Sequence, residues 1–222
     1  MPAPVSIIIA ALNEEENIGA TIDAALAAGA SEVIVADGGS SDATIEIART
    51  HGARVITGEC IRARQLNRGA DAAAHDLLLF VHADTHLPAG ATDAVAHALD
   101  DGFVFGGFRI SFAEPRLAYV AALINVRTRL TREPWGDQAQ FTRRDTFRAI
   151  GGYPDSPIME DYELARRMKR IGRTILLPLT VRTSGRRFVR KGVLRTTALN
   201  WLIIISYHLG VSVERLARWY RG

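Results

Sequence analysis

Along the first hundred residues, continuous apolar runs alternate with stretches in which apolar residues recur every three or four positions. The runs cover 5–12, 32–36, 53–57 and 76–82, and the helical patterns cover 14–28, 42–51, 61–74 and 89–99. Strands that are apolar at every position, and not at every second one, are covered on both faces, as in parallel sheets with crossover helices. The order predicts βα repeated four times, with right-handed connections. Asn13 and Ser41 or Asp42 are polar residues suited to helix starts, and Pro88 suits a first-turn position. After Gly102 the pattern changes. "FVFGGFRISF" reads as a strand with a glycine bend, 115–131 as a helix, and "GDQAQFTRR" as a short strand or loop. A helix follows at "MEDYELARRMKRIG", and then "TILLPLTVRTS", a strand whose proline places it near an edge.

A chain of 222 residues with 48% hydrophobic content has material for one sizeable core, so one α/β domain with an appendage is expected. The formal charge is +3, and every basic residue except Lys169 and Lys191 is arginine. Arginine is the better fork for diphosphate or carboxylate, although genome composition produces the same bias. The excess is too small and scattered for a nucleic-acid partner. A single cysteine, Cys60, excludes an internal disulfide and points to a reducing compartment, and the first apolar run lacks a leader's flanks. A cytoplasmic protein is expected. Near the end, "TALNWLIIISYHLGVSV" is too short at its apolar centre to span a bilayer. Trp201, Trp219 and flanking arginines suit an amphipathic helix on the inner face of a membrane. A helix packed on the domain or on a second copy fits equally.

Candidate chemistry gathers where the runs end. "LLLFVHADTHLP", residues 77–88, passes from hydrocarbon into His82, Asp84 and His86, and ligands of open α/β sheets bind at the carboxyl ends of strands. Asp84 alone suffices as a protein ligand for Mg²⁺ or Mn²⁺ when substrate phosphates supply the other oxygens. The histidines are poor ligands for Mg²⁺, and backbone hydrogen bonding is their simpler role. In "VIVADGGSSDAT", Asp37 ends a strand and either reaches a base or ribose or stabilises its own turn. In "MEDYELARRMKR", Glu160 and Glu163 read as a solvated face with Arg166 and Arg167. Asp161 sits in the first turn, as a cap or as an acid kept ionised to act as a base. No G-x-G-x-x-G follows the first strand and no G-x-x-x-x-G-K-[ST] is present, which disfavours hydride transfer and excludes P-loop chemistry.

Six segments occur in an order that resembles the family 2 glycosyltransferases of GT-A fold: "SIIIAALNEEENI", "DGGSSDAT", "RARQLNRGA", "LLFVHADTHLP", "GDQAQFTRRDTFRAIGGYP" and "MEDYELARRM". The resemblance extends to about residue 190 and is nearest to small bacterial members with His-Ala-Asp for the usual D-x-D element. It implies a Rossmann-like mixed, mainly parallel sheet flanked by helices. Residues 1–197 would form one catalytic domain, with a nucleotide half (1–100), an acceptor half (101–197) and an appendage at 198–222. It implies transfer of a sugar from a nucleotide-diphosphate donor to an acceptor hydroxyl, with inversion. Ala11, Leu12 and Glu14 would line the base pocket, Asp37 would hold base or ribose, and Arg62 would contact base or phosphates. Asp84 would hold the divalent metal, Mn²⁺ or Mg²⁺, and Asp161 would be the general base. Asp137 and Gln138, with Gly106 and Gly107, would lie near sugar and acceptor, and Arg186 and Arg187 would clamp the leaving diphosphate. His82 departs from the pattern and bears on metal dependence. The alternatives are a nucleotidyltransferase on a similar sheet and a non-catalytic member that binds nucleotide or membrane.

Overall fold

The apolar runs become strands in the computed structural model, which describes residues 3–221. The first half contains β1 (Val5–Ala11), α1 (Ile18–Ala27), β2 (Glu32–Asp37), α2 (Thr44–Thr50), β3 (Arg54–Thr57), α3 (Arg62–Ala72), β4 (Leu77–His82), β5 (Thr85–His86) and α4 (Ala91–Asp100). The second contains β6 (Phe105–Phe112), α5 (Ala118–Thr131), β7 (Phe141–Arg143), α6 (Arg144–Ala149), α7 (Glu160–Ile171), β8 (Thr174–Thr183), α8 (Arg186–Lys191), α9 (Val193–His208) and α10 (Val213–Arg221). The sheet order is β3-β2-β1-β4-β7-β6-β8-β5. Pairs among β1 to β4 are parallel, as is β6 with β8, whereas β7 runs antiparallel between β4 and β6. This is the mixed, mainly parallel sheet of the GT-A fold.

Both faces of the sheet are covered, which is why the strands read as unbroken apolar runs. Ile7, Ile9, Val35, Leu79 and Val81 face one side, in one cluster with Ile22 of α1 and Val95 and Leu99 of α4. Ile8, Ile34, Leu78 and Phe80 face the other, clustered with Leu66 of α3 and Leu164 and Met168 of α7. Each such side chain contributes about 1.5–3 kcal/mol by leaving water. A Cβ at Gly69 would lie 2.3 Å from Ile8 Cγ2, so α3 approaches β1 at a position that only glycine fits.

The proline-bearing strand β8 is next to the edge, flanked outside only by the two-residue β5. Its pairing with β6 jumps from Phe108 opposite Leu177 to Arg109 opposite Thr180, so Pro178 sits in a bulge. The expected helix starts are displaced. α1 begins at Ile18, not at the turn after Asn13, and α4 begins at Ala91 behind a left-handed Gly90, three residues past Pro88. Neither Ser41 nor Asp42 is the N-cap of α2, which is Ala43. These polar residues instead stitch two loops together: Asn13 Oδ1 accepts from the Ser41 N–H at 2.9 Å, Asp42 Oδ2 accepts from the Glu15 N–H at 3.2 Å, and Thr44 Oγ1 accepts from the Glu14 N–H at 2.8 Å. The division at 197/198 falls inside α9, and the tail is two helices joined at Gly210, not one.

Candidate active site

The carboxyl ends of β2, β1 and β4 lie side by side, with Ala11 in register with Asp37 and Ala10 with His82. Gln65 pins the first two ends, donating from Nε2 to the Ala11 and Ala36 carbonyls at 2.8 Å. Ala11 is buried and Leu12, just beyond it, is 38% exposed on the rim. Asp37 is fully buried and serves its own turn. One oxygen accepts the Gly39 and Ser40 N–H groups at 2.7 and 2.9 Å, and the other accepts the Ser40 hydroxyl. The Asp37 oxygen that carries only the Ser40 hydroxyl is the one with a lone pair left for a ligand donor.

One charge cluster joins the two ends of the chain. Arg186, at the start of α8, holds both oxygens of Glu14, one at 3.1 Å, and reaches Asp84 Oδ2 at 3.4 Å. Thr183 Oγ1 lies 3.5 Å from Asp84 Oδ1. Burial raises the pKa of the Asp84 carboxyl, Arg186 opposes that rise, and Glu14 adds to it. Among the described residues no three His, Cys, Asp or Glu side chains converge as a complete metal cage. The donor set still fits a hard divalent cation, because such ions bind through one or two carboxylates and take their remaining oxygens from phosphate and water. Here two carboxylates, Glu14 and Asp84, largely desolvated, converge on the Arg186 guanidinium.

Beside it lies a second cluster, around a small pocket lined by Arg62, Phe80, His82, Gly136, Tyr153 and Asp161 among others. Arg62 is paired with Glu160, the first residue of α7, whose side chain is only 2% exposed. Burial opposes the charge of Arg62, but the carboxylates of Glu160 and Asp161 outweigh it and hold the guanidinium firmly charged. Arg62 Nη1 donates to His82 Nε2 at 3.4 Å. Burial, then Arg62 and Arg186, push the His82 imidazolium down to about 3, so the ring is neutral, with its proton on Nδ1. Asp161 Oδ2 accepts the Gly136 N–H at 2.8 Å and Oδ1 the Tyr162 N–H at 2.8 Å. A Cβ at Gly136 would come within 2.9 Å of both Asp161 Oδ2 and His82 Nε2, so the glycine lets the carboxylate and the imidazole close on one another. Met159, with φ 68°, turns the chain sharply into α7 and delivers Asp161 to that point.

Asp137 stands next to this group. Its Oδ1 is buried without a hydrogen-bond partner, while Arg127, stacked 3.4 Å over the Trp135 ring, and Asp161 both act on it electrostatically. Burial raises its pKa to about 6 against the opposing Arg127, with Asp161 adding to the rise. Since the ordinary value is 3.8, the folded protein holds a proton between about pH 4 and 6 that the unfolded chain has released. The stabilisation is complete in acid and is lost as pH rises through about 6. In urea unfolding, the stability of the parent relative to Asp137→Asn is expected to fall by roughly 2 kcal/mol from about pH 4 to 7. A pH-independent difference would remove Asp137 as the titrating group.

Several expected site residues have other employment. Gln138 is fully buried and braces the loop, accepting from Thr128 Oγ1 at 2.7 Å and donating to the Phe108 carbonyl at 3.1 Å, so it does not face a substrate. Gly106 and Gly107 are buried in β6, where a Cβ would strike Phe141, Ile175 or Pro134; they serve packing. Arg187 turns away, stacked 3.4 Å over Tyr220, leaving Arg186 as the arginine of the pair in the cluster. His86 is exposed on β5, and Cys60 is an exposed free thiol. Glu160 is not on a solvated face; it is buried. Its spacing to Leu164 and Met168, both fully buried on α7, was the available signal. Glu163 does pair with Arg166 and Arg167, each at 3.2 Å.

The fold recurs in known structures. The mannosyltransferase PcManGT from Pyrobaculum calidifontis, solved with GDP-Man and Mn²⁺, aligns with a TM-score of 0.64 at 20% identity, covering 83% of this chain and 57% of that one. Glucosyl-3-phosphoglycerate synthase from Mycobacterium tuberculosis, solved with Mn²⁺, UDP and glucosyl-3-phosphoglycerate, gives 0.57 at 20% identity, covering 80% and 70%. TarS from S. aureus gives 0.65 at 17%, covering 82% of this chain and 36% of its own. The chain thus spans only part of the length of these structural neighbours. No curated protein matches it. The sequence itself matches the Glycosyl transferase family 2 over residues 6–197, nearly the whole of its sheet and both charge clusters, and the chain belongs to that family.

Proposed function

We propose that the protein transfers a sugar from a nucleoside-diphosphate donor to an acceptor hydroxyl with inversion at the anomeric carbon. The observation carrying this reading is a pair of carboxylates held separately, Asp84 facing Arg186 two residues past neutral His82, and Asp161 on α7 close to the His82 ring at Gly136. Leu12 and the turn of Asp37 would border the base. Arg186 would release Asp84 and meet the diphosphate, where negative charge grows as the glycosidic bond breaks, stabilising the transition state more than the ground state. A divalent cation at Asp84 would supply charge neutralisation of that leaving group. Asp161, fixed by Gly136 N–H, would take the acceptor proton as the hydroxyl attacks from the opposite face. Asp137, whose Oδ1 has no partner, would accept from a sugar hydroxyl. The GDP-Man, UDP and Mn²⁺ bound by the structural neighbours support the donor class.

The test is a thermal-shift series of UDP, GDP, CDP and dTDP with and without Mn²⁺. At about 100 times Kd a ligand adds about 2.7 kcal/mol. For a chain of this size that is a rise of roughly 5–10 °C. One nucleotide is expected to stand out, and more so with Mn²⁺. Asp84→Ala should lose the Mn²⁺-dependent part of that rise and keep the parental midpoint without ligand. If no nucleoside diphosphate moves the midpoint, the donor reading fails, and a donor-hydrolysis assay separates turnover from nucleotide binding alone.

A further inference from the structure

Helix α9 is half finished as a packed element. One face, with Thr196, Ile203 and Ser206, is buried, and Ile203 clusters with Ile158, Met159 and Tyr162 beside α7 and with Leu216 of α10. Leu194, Trp201, Leu202, Ile205 and Leu209 are between 51 and 88% exposed. At 100° per residue these five fall within a stripe about 100° wide, so they form one continuous apolar face with nothing from the described residues over it. No helix among the described residues is long and apolar enough to cross a membrane.

Around that stripe the charge is one-sided. Residues 186–222 hold seven arginines and Lys191 against the single acid Glu214, a net +7. With +3 for the whole chain, the other residues carry −4. A self-complementary contact between two copies would press two such segments together with only one acid each, Glu214, against eight basic residues. An anionic bilayer meets both features at once, since its headgroups attract the arginines and its interface accommodates Leu, Ile and Trp. We infer that α9, with Arg190 and Lys191 of α8 and Arg215 and Arg218 of α10 beside it, docks flat on an anionic lipid surface. Ile203 on the buried side of α9 packs at the start of α7, and at the edge of the exposed stripe His208 Nε2 lies 2.8 Å from Tyr162 Oη, so docking holds the Asp161 side of the site near the headgroups.

The full chain is tested by flotation with phosphatidylcholine vesicles, with and without phosphatidylglycerol, at low and high salt, with tryptophan fluorescence as a second readout. Binding is expected with the anionic vesicles only, with a blue shift, and to fall at least about tenfold at high salt. The double variant Trp201→Ser, Ile205→Ser changes exposed positions, so its unfolding midpoint should stay parental while vesicle binding drops about tenfold or more. Lys191→Glu should lower binding while leaving the apolar stripe intact. Equal binding to neutral vesicles, or none to anionic ones, overturns the inference. A concentration-dependent dimer that the double variant abolishes, without vesicle binding, assigns the stripe to a second copy and overturns it too. The readout is independent of turnover, so its failure leaves the proposed transfer reaction standing.

Discussion

Asp161→Asn is expected to collapse kcat by about 10²–10⁴-fold, the usual loss for a general base, while the Kd for the donor nucleotide stays near parental. Asparagine keeps the shape of the side chain, and its Oδ1 can still accept the Gly136 N–H that now reaches Asp161 Oδ2 at 2.8 Å, while the Tyr162 N–H loses its side-chain acceptor. Asparagine is no worse than aspartate in capping ability, so the unfolding free energy should fall by only about 1 kcal/mol, the worth of one hydrogen bond. The main-chain carbonyl of residue 161, which accepts from Gln140 Nε2 at 3.0 Å, is untouched by the change. What asparagine cannot do is take a proton. A purely structural Asp161 makes the reverse forecast of normal turnover, so a variant keeping more than about a tenth of parental kcat would move the base elsewhere, with Asp137 next in line.

The second large effect concerns the pair Arg62 and Glu160, and it is asymmetric. The Glu160 side chain is 2% exposed, whereas that of Arg62 is 43% exposed. Removing the arginine strands a buried carboxylate, so Arg62→Ala is expected to cost about 3–5 kcal/mol in urea unfolding. Glu160→Gln leaves a guanidinium that can turn to water, and should cost well under half as much. The loss in Arg62→Ala should also grow with pH. Burial raises the Glu160 pKa, and that of a carboxyl without its partner rises further, so its favourable protonated form is lost as pH climbs through that value. Equal losses for the two variants at every pH would mean that the pair is not buried in the sense described.

Much of the fold was legible because the parallel half obeys one rule: strands covered on both faces are apolar throughout. The runs at 5–12, 32–36, 53–57 and 76–82 match β1 to β4 to within a residue or two. The antiparallel β7 was not legible as a sheet position, because three residues carry too little pattern and its place between β4 and β6 is decided by chain segments far away. Helix starts were misplaced for a related reason. Asn13 and Asp42 looked like caps, but Asn13 Oδ1 and one oxygen of Asp42 are spent on the neighbouring loop. At the site, Asp84 and Asp161 could be singled out from their positions at element ends. Arg186 with Glu14 could not be paired, since 172 residues separate them. Gln138 shows the opposite error: a polar residue in a suggestive motif is consumed by bracing the loop that carries Asp137.

The bulge at Pro178 bears on how the protein behaves in a crowded solution. A sheet whose outer strand offers a long row of free N–H and C=O groups is a template for another chain's strand, and hence for aggregation. On one border that strand is β3, four residues long, with the exposed Arg54 at its start. On the other, β8 is covered at Arg182 and Thr183 by the short β5, and further back Pro178 withholds a donor where the bulge breaks the regular spacing. Neither border presents a flat, regular ladder, so the eight strands end where they do without inviting a ninth from a neighbouring molecule.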